Sequence, residues 1–457
     1  MNKTGSSARE TALNVLYRIQ EKGAYANIEL NRALAQNSAA GPDRALATEL
    51  VYGTVRMQGS IDYVLNIFLK KSLTSLPMWI LLILRLGVYQ MLYLDKIPDR
   101  AAVNEMVNLA KKYGHPGTVK LVNGVLRNIS RNRENIKFPS RHEDLEGFIS
   151  IVYSHPRWLV KRWLSLFGAE DTEKLCSVNN QAPPVTVRTN TLRTSRDRLM
   201  ERLTQEEIDC RPGRFTPESI ILDGVPPIAS LPSFREGLFQ VQDESSMLVA
   251  HVLGAKPGSN VLDVCAAPGG KTTHIGQLMN NQGRIKAFDI HQHKLDLVKD
   301  NCRRLGIEIV ETCAGDSRHL PNHLKCWADY VLVDAPCSGL GVLRRRPDAR
   351  WNKEENTIKE LVPVQEKILL SAARTVKPGG VLVYSTCTIS PEENEEMIKW
   401  FLETNEEFAL EPLDNIIAFF QGEEEILGNK RGMIQMLPYV HGTDGLFIAR
   451  LRRRERG

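Results

Sequence analysis

Two cysteines stand where a thiolate could do covalent chemistry. Cys337 lies in Asp334-Ala335-Pro336-Cys337-Ser338-Gly339, and Cys387 in Tyr384-Ser385-Thr386-Cys387-Thr388. Each follows an apolar run suited to a buried strand. A lone cysteine in such a place is usually a small core residue. Two of them, each just past a strand end and flanked by Pro and Ser or by two Thr, point to nucleophilic catalysis. One reaction needs such a pair. Carbon 5 of cytosine is a poor nucleophile, and a thiolate added at carbon 6 makes it enamine-like and able to attack a methyl sulfonium. The adduct must then lose the carbon 5 proton and release the thiol, which requires a second polar group. Asp334 suits the N3/N4 edge of the base, where it would stabilise the adduct electrostatically.

A second stretch offers a ligand cradle. Val261–Ile275 reads VLDVCAAPGGKTTHI: a short apolar strand carrying Asp263, a turn of small residues, and a polar helix start at Lys271, Thr272 and Thr273. Such a turn brings backbone N–H groups and a helix N-terminus to a ligand. The P-loop pattern requires a glycine where this chain has Cys265, and the dinucleotide pattern requires a third glycine that is absent. S-adenosylmethionine, which has no phosphate, remains. Its amino and ribose groups suit Asp263 and a second acid after the next strand, Asp289 in Ile285–Ile290. For Asp263 the preferred reading is a buried acid bonding local backbone. Lys271, from its place in the turn, is assigned to the site.

The elements that must position these residues follow from pattern and composition. The 457 residues leave room for two to four domains at roughly 100–200 residues each. A hydrophobic fraction of 42% with 25% charged residues is the balance of a soluble globular protein. Met1–Lys22 has no apolar signal core. The most apolar stretch, Met78–Leu94, contains Arg85 and Gln90 and falls short of the roughly 20 residues of a bilayer span. A cytoplasmic protein without a membrane partner is expected. The eight cysteines lie between Cys176 and Cys387 with no C-x-x-C pair, and His291-x-His293 has no further ligands beside it. Neither a disulfide framework nor a metal site is therefore expected. Residues 1–140 hold 19 Lys and Arg against 10 Asp and Glu, and the remainder 40 against 44. A basic front suits a polyanion, most simply a nucleic acid.

Helical spacing predicts helices over Ala8–Gln20, Arg44–Tyr52, Ser60–Leu69, Trp79–Leu94, Ala101–Tyr113 and Val119–Ile129, so the front is all-helical. Arg131–Glu146 reads as a linker. A helix over Pro156–Phe167, strands at Pro184–Arg188 and Ser219–Leu222, and a helix Ser195–Gln205 between them make a small α+β segment. From about Gly237 strand and helix alternate. Strands Val261–Val264, Ile285–Asp289, Ile309–Cys313, Tyr330–Asp334 and Val381–Ser385 imply a mostly parallel, doubly wound sheet. Ligands in such sheets bind at the carboxyl ends of the strands, where Asp289, Asp316, Asp334, Ser385 and Cys387 all fall. Asp243 is expected to cap Glu244–Leu253. Arg344, Arg345 and Arg346, in the loop after Cys337, suit RNA phosphates.

CAAPGGKT at Cys265–Thr272, DAPCSG at Asp334–Gly339 and YSTCT at Tyr384–Thr388 resemble the motifs of the Sun/RsmB ribosomal RNA cytosine carbon-5 methyltransferases. GLFQVQDESS at Gly237–Ser246 and TDGLFIARL at Thr443–Leu451 extend the resemblance over essentially the whole chain. The front resembles the RNA-binding NusB fold. The resemblance implies three domains: an all-α NusB-like domain (1–138), a small α+β adaptor (139–236) and an α/β Rossmann-like, S-adenosylmethionine-dependent methyltransferase domain (237–457). It implies methylation of carbon 5 of an unpaired or flipped-out cytosine by a monomer. The substrate implied is 16S ribosomal RNA or a small-subunit assembly intermediate. Cys387 would be the nucleophile, and Cys337 would assist carbon 5 deprotonation and product release. DNA cytosine methyltransferases use a Pro-Cys pair as nucleophile, so Cys337 is the alternative. Cys265, Ala266, Ala267, Pro268, Gly269, Gly270 and Lys271 would wrap the methionine part of the cofactor. Asp289 would hold the ribose, Asp316 would contact the adenine, and Asp334 would sit between cofactor and base. Transfer RNA is the alternative substrate. A non-catalytic RNA-binding or antitermination factor is the alternative of a different class, opposed by the cofactor motifs and both cysteines.

Overall fold

The computed structural model describes residues 7–36, 41–413 and 432–455; Met1–Ser6, part of the stretch read above for a signal core, lie outside this range. The chain forms two compact units, Met1–Ala182 with Leu343–Glu354, and Pro183–Val342 with Glu355–Gly457.

The first unit is helical. All six expected helices form, each with ends a few residues from those predicted, and Ala26–Gln36 adds another. That helix escaped the periodic reading because it buries only Ala26, Leu30 and Leu34, a stripe one residue wide. Met78–Tyr93 is buried on most of its surface. It tolerates Arg85 because Asp62 accepts from Nε and Nη2 at 2.7 Å each, a two-pronged pair. Among the described residues no helix is long and apolar enough to cross a membrane. The helix expected over Pro156–Phe167 forms from Arg157 and breaks at Gly168, whose φ +77° and ψ −179° are not helical; a second helix follows directly and ends at Asn179.

Leu343–Glu354, the loop after Cys337, belongs to this unit through buried anchors. The fully buried Arg350 donates to the carbonyls of Ser154 (3.0 Å) and Asn179 (2.9 Å) and to Asn180 Oδ1 (2.8 Å). Trp351 Nε1 donates to the Val55 carbonyl at 2.7 Å. The basic run in this loop therefore divides. Arg344 is buried, contrary to the expected phosphate-facing role, whereas Arg346 is exposed beside the Tyr25 ring.

The second unit holds two sheets. The smaller is antiparallel, ordered β2-β3-β1-β4 from β1 (Val185–Thr189), β2 (Asp209–Pro212), β3 (Ser219–Asp223) and β4 (Phe239–Val241). The expected segment 139–236 is thus shared: its helices Leu145–Val152 and Arg157–Asn179 fall in the first unit, and its helix Arg196–Gln205 and its strands in the second. The larger sheet contains β5 (Asn260–Asp263), β6 (Arg284–Asp289), β7 (Val310–Ala314), β8 (Ala328–Asp334) and β9 (Val376–Thr386), parallel in the order β7-β6-β5-β8-β9. Three further strands, β10 (Phe408–Leu410), β11 (Met433–Met436) and β12 (Leu446–Arg453), join antiparallel: β12 pairs with β9, and β10 and β11 pair with β12. The parallel strands are apolar on both faces, as Val261, Leu262, Val331, Leu332 and Val333 show, because helices cover both sides. Asp243 caps Glu244–Leu253 by accepting from Ser245 N–H at 3.0 Å.

Candidate active site

Strand order reverses between β5 and β8: the chain runs from β5 outward to β6 and β7, then returns to the other side of β5. The crevice at such a switch point, outside the carboxyl ends, is where doubly wound sheets bind ligands. β5 ends at Asp263, β6 at Asp289 and β8 at Asp334, while Asp316 lies two residues past β7. All the sequence-predicted site residues therefore fall along one sheet edge.

The turn after β5 is built for close approach. Gly269 adopts φ +98°, and a Cβ there would come within 3.1 Å of Val298 Cα, so only glycine fits. Gly269 offers no side-chain cap to helix Gly270–Leu278, which leaves the first amides of that helix open to a ligand. Thr272 Oγ1 donates to Asp263 Oδ2 at 2.7 Å and binds the helix back to its strand. Asp263 is buried, and burial, opposed by the Thr272 hydrogen bond and assisted by the Asp334 charge, raises its pKa from 3.8 to about 7. Burial holds the Cys265 thiol well above the usual range, with the charges of Asp263, Asp334, Asp289 and Asp316 adding. Asp289 accepts from His291 N–H at 2.9 Å. Asp316 is engaged by Arg318 through Nε (2.9 Å) and Nη2 (2.6 Å), and this pairing lowers its pKa.

The cysteine pair sits at the ends of neighbouring strands. Asp334 and Ser385 are cross-strand partners, which brings Cys337 Sγ to 3.3 Å from Cys387 Sγ. Asp334 is held from both sides: Lys271 Nζ donates to Oδ2 at 2.8 Å and Ser385 Oγ to Oδ1 at 2.9 Å. For Lys271, burial alone would lower the pKa, but Asp334 outweighs it and Cys387 adds to the rise. This ammonium therefore stays charged, facing both a carboxylate and a sulfur. The Cys387 sulfur and burial hold the Cys337 thiol well above its ordinary range, with the Glu393 charge adding. A cation beside one sulfur and an anion beside the other can separate their roles.

Several residues that support this site were not read from the sequence. Arg188, near the end of β1, is fully buried. It donates to the Gly270 carbonyl (2.7 Å), Thr273 Oγ1 (3.1 Å), Gln277 Oε1 (3.2 Å) and Gln242, and so fastens the small sheet to the cofactor-turn helix. Burial lowers its pKa to about 9, with Glu218 opposing. Glu218 Oε1 lies 2.8 Å from Nε2 of both His251 and His274. Two imidazoles and a carboxylate are a possible donor set for a divalent ion. Burial first, and then Arg188, push His274 down to about 3. The signal available in the sequence was an arginine within an apolar strand. A further contact explains the closing motif. Gly445 N–H donates to Gly341 O at 2.8 Å and Gly341 N–H to Cys387 O at 3.0 Å. A Cβ on Gly341 would lie 2.2 Å from Gly445 O. Two glycines are thus required where β12 meets the Cys387 turn.

Comparison with known proteins agrees with this architecture. Residues 250–452 match the family model for the 16S rRNA methyltransferase RsmB/F, residues 6–131 that of the NusB family, and residues 155–229 that of the RsmF/B-like ferredoxin-like domain. The probable ribosomal RNA small subunit methyltransferase B of Bacillus subtilis (strain 168) is 40% identical over 99% of this chain and 100% of its own length. The crystal structure of PH0851 is similar with a TM-score of 0.83 at 29% identity, covering 98% of both chains. NSun6 from Pyrococcus horikoshii with SFG is similar with a TM-score of 0.57 at 26% identity, covering 66% of this chain and 99% of its own. By full-length identity, by its matched domains and by its fold, the chain belongs to the RsmB/F family of 16S rRNA methyltransferases.

Proposed function

We propose that the protein methylates carbon 5 of a cytosine in small-subunit ribosomal RNA through a covalent cysteine–cytosine adduct, with S-adenosylmethionine as methyl donor. The observation that carries this reading is the 3.3 Å approach of the Cys337 and Cys387 sulfurs beside the Lys271–Asp334 pair. The choice of ribosomal RNA is supported by the names of the full-length relatives.

The turn Cys265–Lys271 holds the methionine part of the cofactor against the open helix amides, Asp289 holds the ribose, and Asp316 meets the adenine. When bound, the cofactor supplies an electrophilic methyl group. Cys387, with the Lys271 ammonium facing it, adds as thiolate to carbon 6 of the flipped-out base and makes carbon 5 nucleophilic. Asp334 binds the N3/N4 edge, kept in place by Lys271 and Ser385. After methyl transfer to carbon 5, Cys337 assists removal of the carbon 5 proton. The electron pair of that C–H bond restores the ring double bond and expels the Cys387 thiolate from carbon 6. The basic segment 1–138 docks the RNA, 139–236 joins it to the chemistry, and 237–457 carries the chemistry.

Transfer of labelled methyl to ribosomal RNA, with the product identified as 5-methylcytosine by mass spectrometry, tests the activity. Cys337→Ala should accumulate a denaturant-resistant RNA–protein adduct and Cys387→Ala should form none. The opposite pattern would exchange the two roles, and no methyl transfer by the wild type would end the reading.

A further inference from the structure

Glu393 is fully buried in the stretch Pro391–Glu393, a few residues past Cys387, and its side chain reaches back to the Cys337 turn. Oε1 accepts from the Ser338 N–H at 2.8 Å and from Gln365 Nε2 at 2.9 Å. Oε2 accepts from Ser338 Oγ. Gln365 Nε2 also donates to the Pro336 carbonyl at 2.9 Å. The residues on both sides of Cys337 are therefore tied to one carboxylate and one amide. Ser338 Oγ is also 2.8 Å from Thr388 Oγ1. The contacts Thr388–Ser338–Glu393 thereby join the residue after Cys387 to the residue after Cys337. Tyr384 O–H closes the circuit by donating to the Glu393 carbonyl at 2.8 Å. Among the described residues, the donors to the Glu393 carboxylate are neutral groups, Ser338 and Gln365.

We infer that Glu393 is a positioning residue for the paired-cysteine centre, locking the Cys337 turn to the Cys387 turn and setting a buried negative charge against Cys337. This rests on the cysteine chemistry proposed above. The groups facing Cys337 are Cys387, Glu393 and Tyr384, with the Lys271–Asp334 pair on the Cys387 side. An anion at this place favours the protonated sulfur. A sulfur that keeps its proton is withheld from attack on carbon 6, which leaves that step to Cys387. The clamp and the charge thus serve the same division of labour.

The pH profile of Cys337 alkylation by iodoacetamide, read by peptide mass spectrometry in a Cys387→Ser background, tests the charge. Adding Glu393→Gln should move the midpoint to lower pH by about one unit, while Glu393→Asp should leave it near that of the parent. In the otherwise wild-type enzyme, Glu393→Gln should lower kcat for methyl transfer by about 10–100-fold with little change in KM for RNA, as expected for a misplaced reacting group. Gln365→Ala, which removes one donor and leaves the carboxylate, is the milder variant and should lower kcat at unchanged KM. An unmoved alkylation midpoint in Glu393→Gln, or an unchanged kcat in Gln365→Ala, would overturn the inference. Failure of the proposed reaction would show as absence of 5-methylcytosine with the wild-type enzyme, whereas the alkylation profile reads Glu393 without any turnover.

Discussion

Asp263→Asn isolates one buried carboxyl in the strand that leads into the cofactor turn. Asp263 is 1% exposed and accepts from Thr272 Oγ1 at 2.7 Å. Its pKa rises from 3.8 to about 7, chiefly through burial. The folded chain thus holds this proton more tightly than the unfolded chain does. The associated stability is fully present below about pH 4 and is lost as pH climbs through about 7. A shift of about three units at ~1.4 kcal/mol each gives a change on the order of 4 kcal/mol. An amide carries no charge at any of these pH values, and its oxygen can still accept from Thr272. The Asn variant should therefore escape the loss, and its stability relative to wild type should rise by about 4 kcal/mol between pH 4 and pH 8. The assay is urea denaturation at a series of pH values without cofactor, followed by protease susceptibility of peptides from β5, β6 and β8 so that this unit alone is read. A difference between variant and wild type that stays flat, or falls, across that range would refute the assignment of Asp263 as a protonated structural acid.

Two further perturbations test the support of the site. Arg188→Ala strands the acceptors on Gly270, Gln277 and Gln242. At about 1–3 kcal/mol per stranded acceptor, the three together should cost at least about 3 kcal/mol, seen as a lower urea midpoint at unchanged slope. Arg188→Lys should recover little of it, because an ammonium cannot reproduce the planar fork. Gly341→Ala puts a Cβ 2.2 Å from Gly445 O and 2.9 Å from Cys387 O, so backbone must move at the Cys387 turn. Methyl transfer should fall by at least about tenfold with RNA affinity retained, as measured by single-turnover kinetics and filter binding; full activity would mean that this close approach is not needed.

What the sequence revealed and what it concealed differ by the range of the forces involved. The strand–turn–helix at Val261–Ile275 was legible because apolar strand, small-residue turn and polar helix start are local. The convergence of Asp289, Asp316, Asp334 and the two cysteines was legible because a parallel βα sheet brings successive carboxyl ends to one edge whatever the chain distance. The antiparallel strands β10 to β12 were not anticipated, since the alternating pattern stops before them and β12 is specified by pairing with β9. Arg188 and Glu393 were overlooked for a sharper reason. A charged residue in a sequence carries no mark of burial, and the bland expectation is water. Arg188 acquires its meaning from Gly270 and Gln277, and Glu393, within an acidic run, from Ser338 and Gln365. Arg344 failed in the same way, expected at RNA phosphates and found buried. Residues that react must present recognisable chemistry at a strand end, so type and spacing betray them. Residues that hold the reacting groups need only satisfy partners that folding supplies. The two classes should therefore separate by mutation: changes at Cys387 should abolish the adduct while leaving the fold, and changes at Arg188 should cost stability first and methyl transfer only through the turn it fastens.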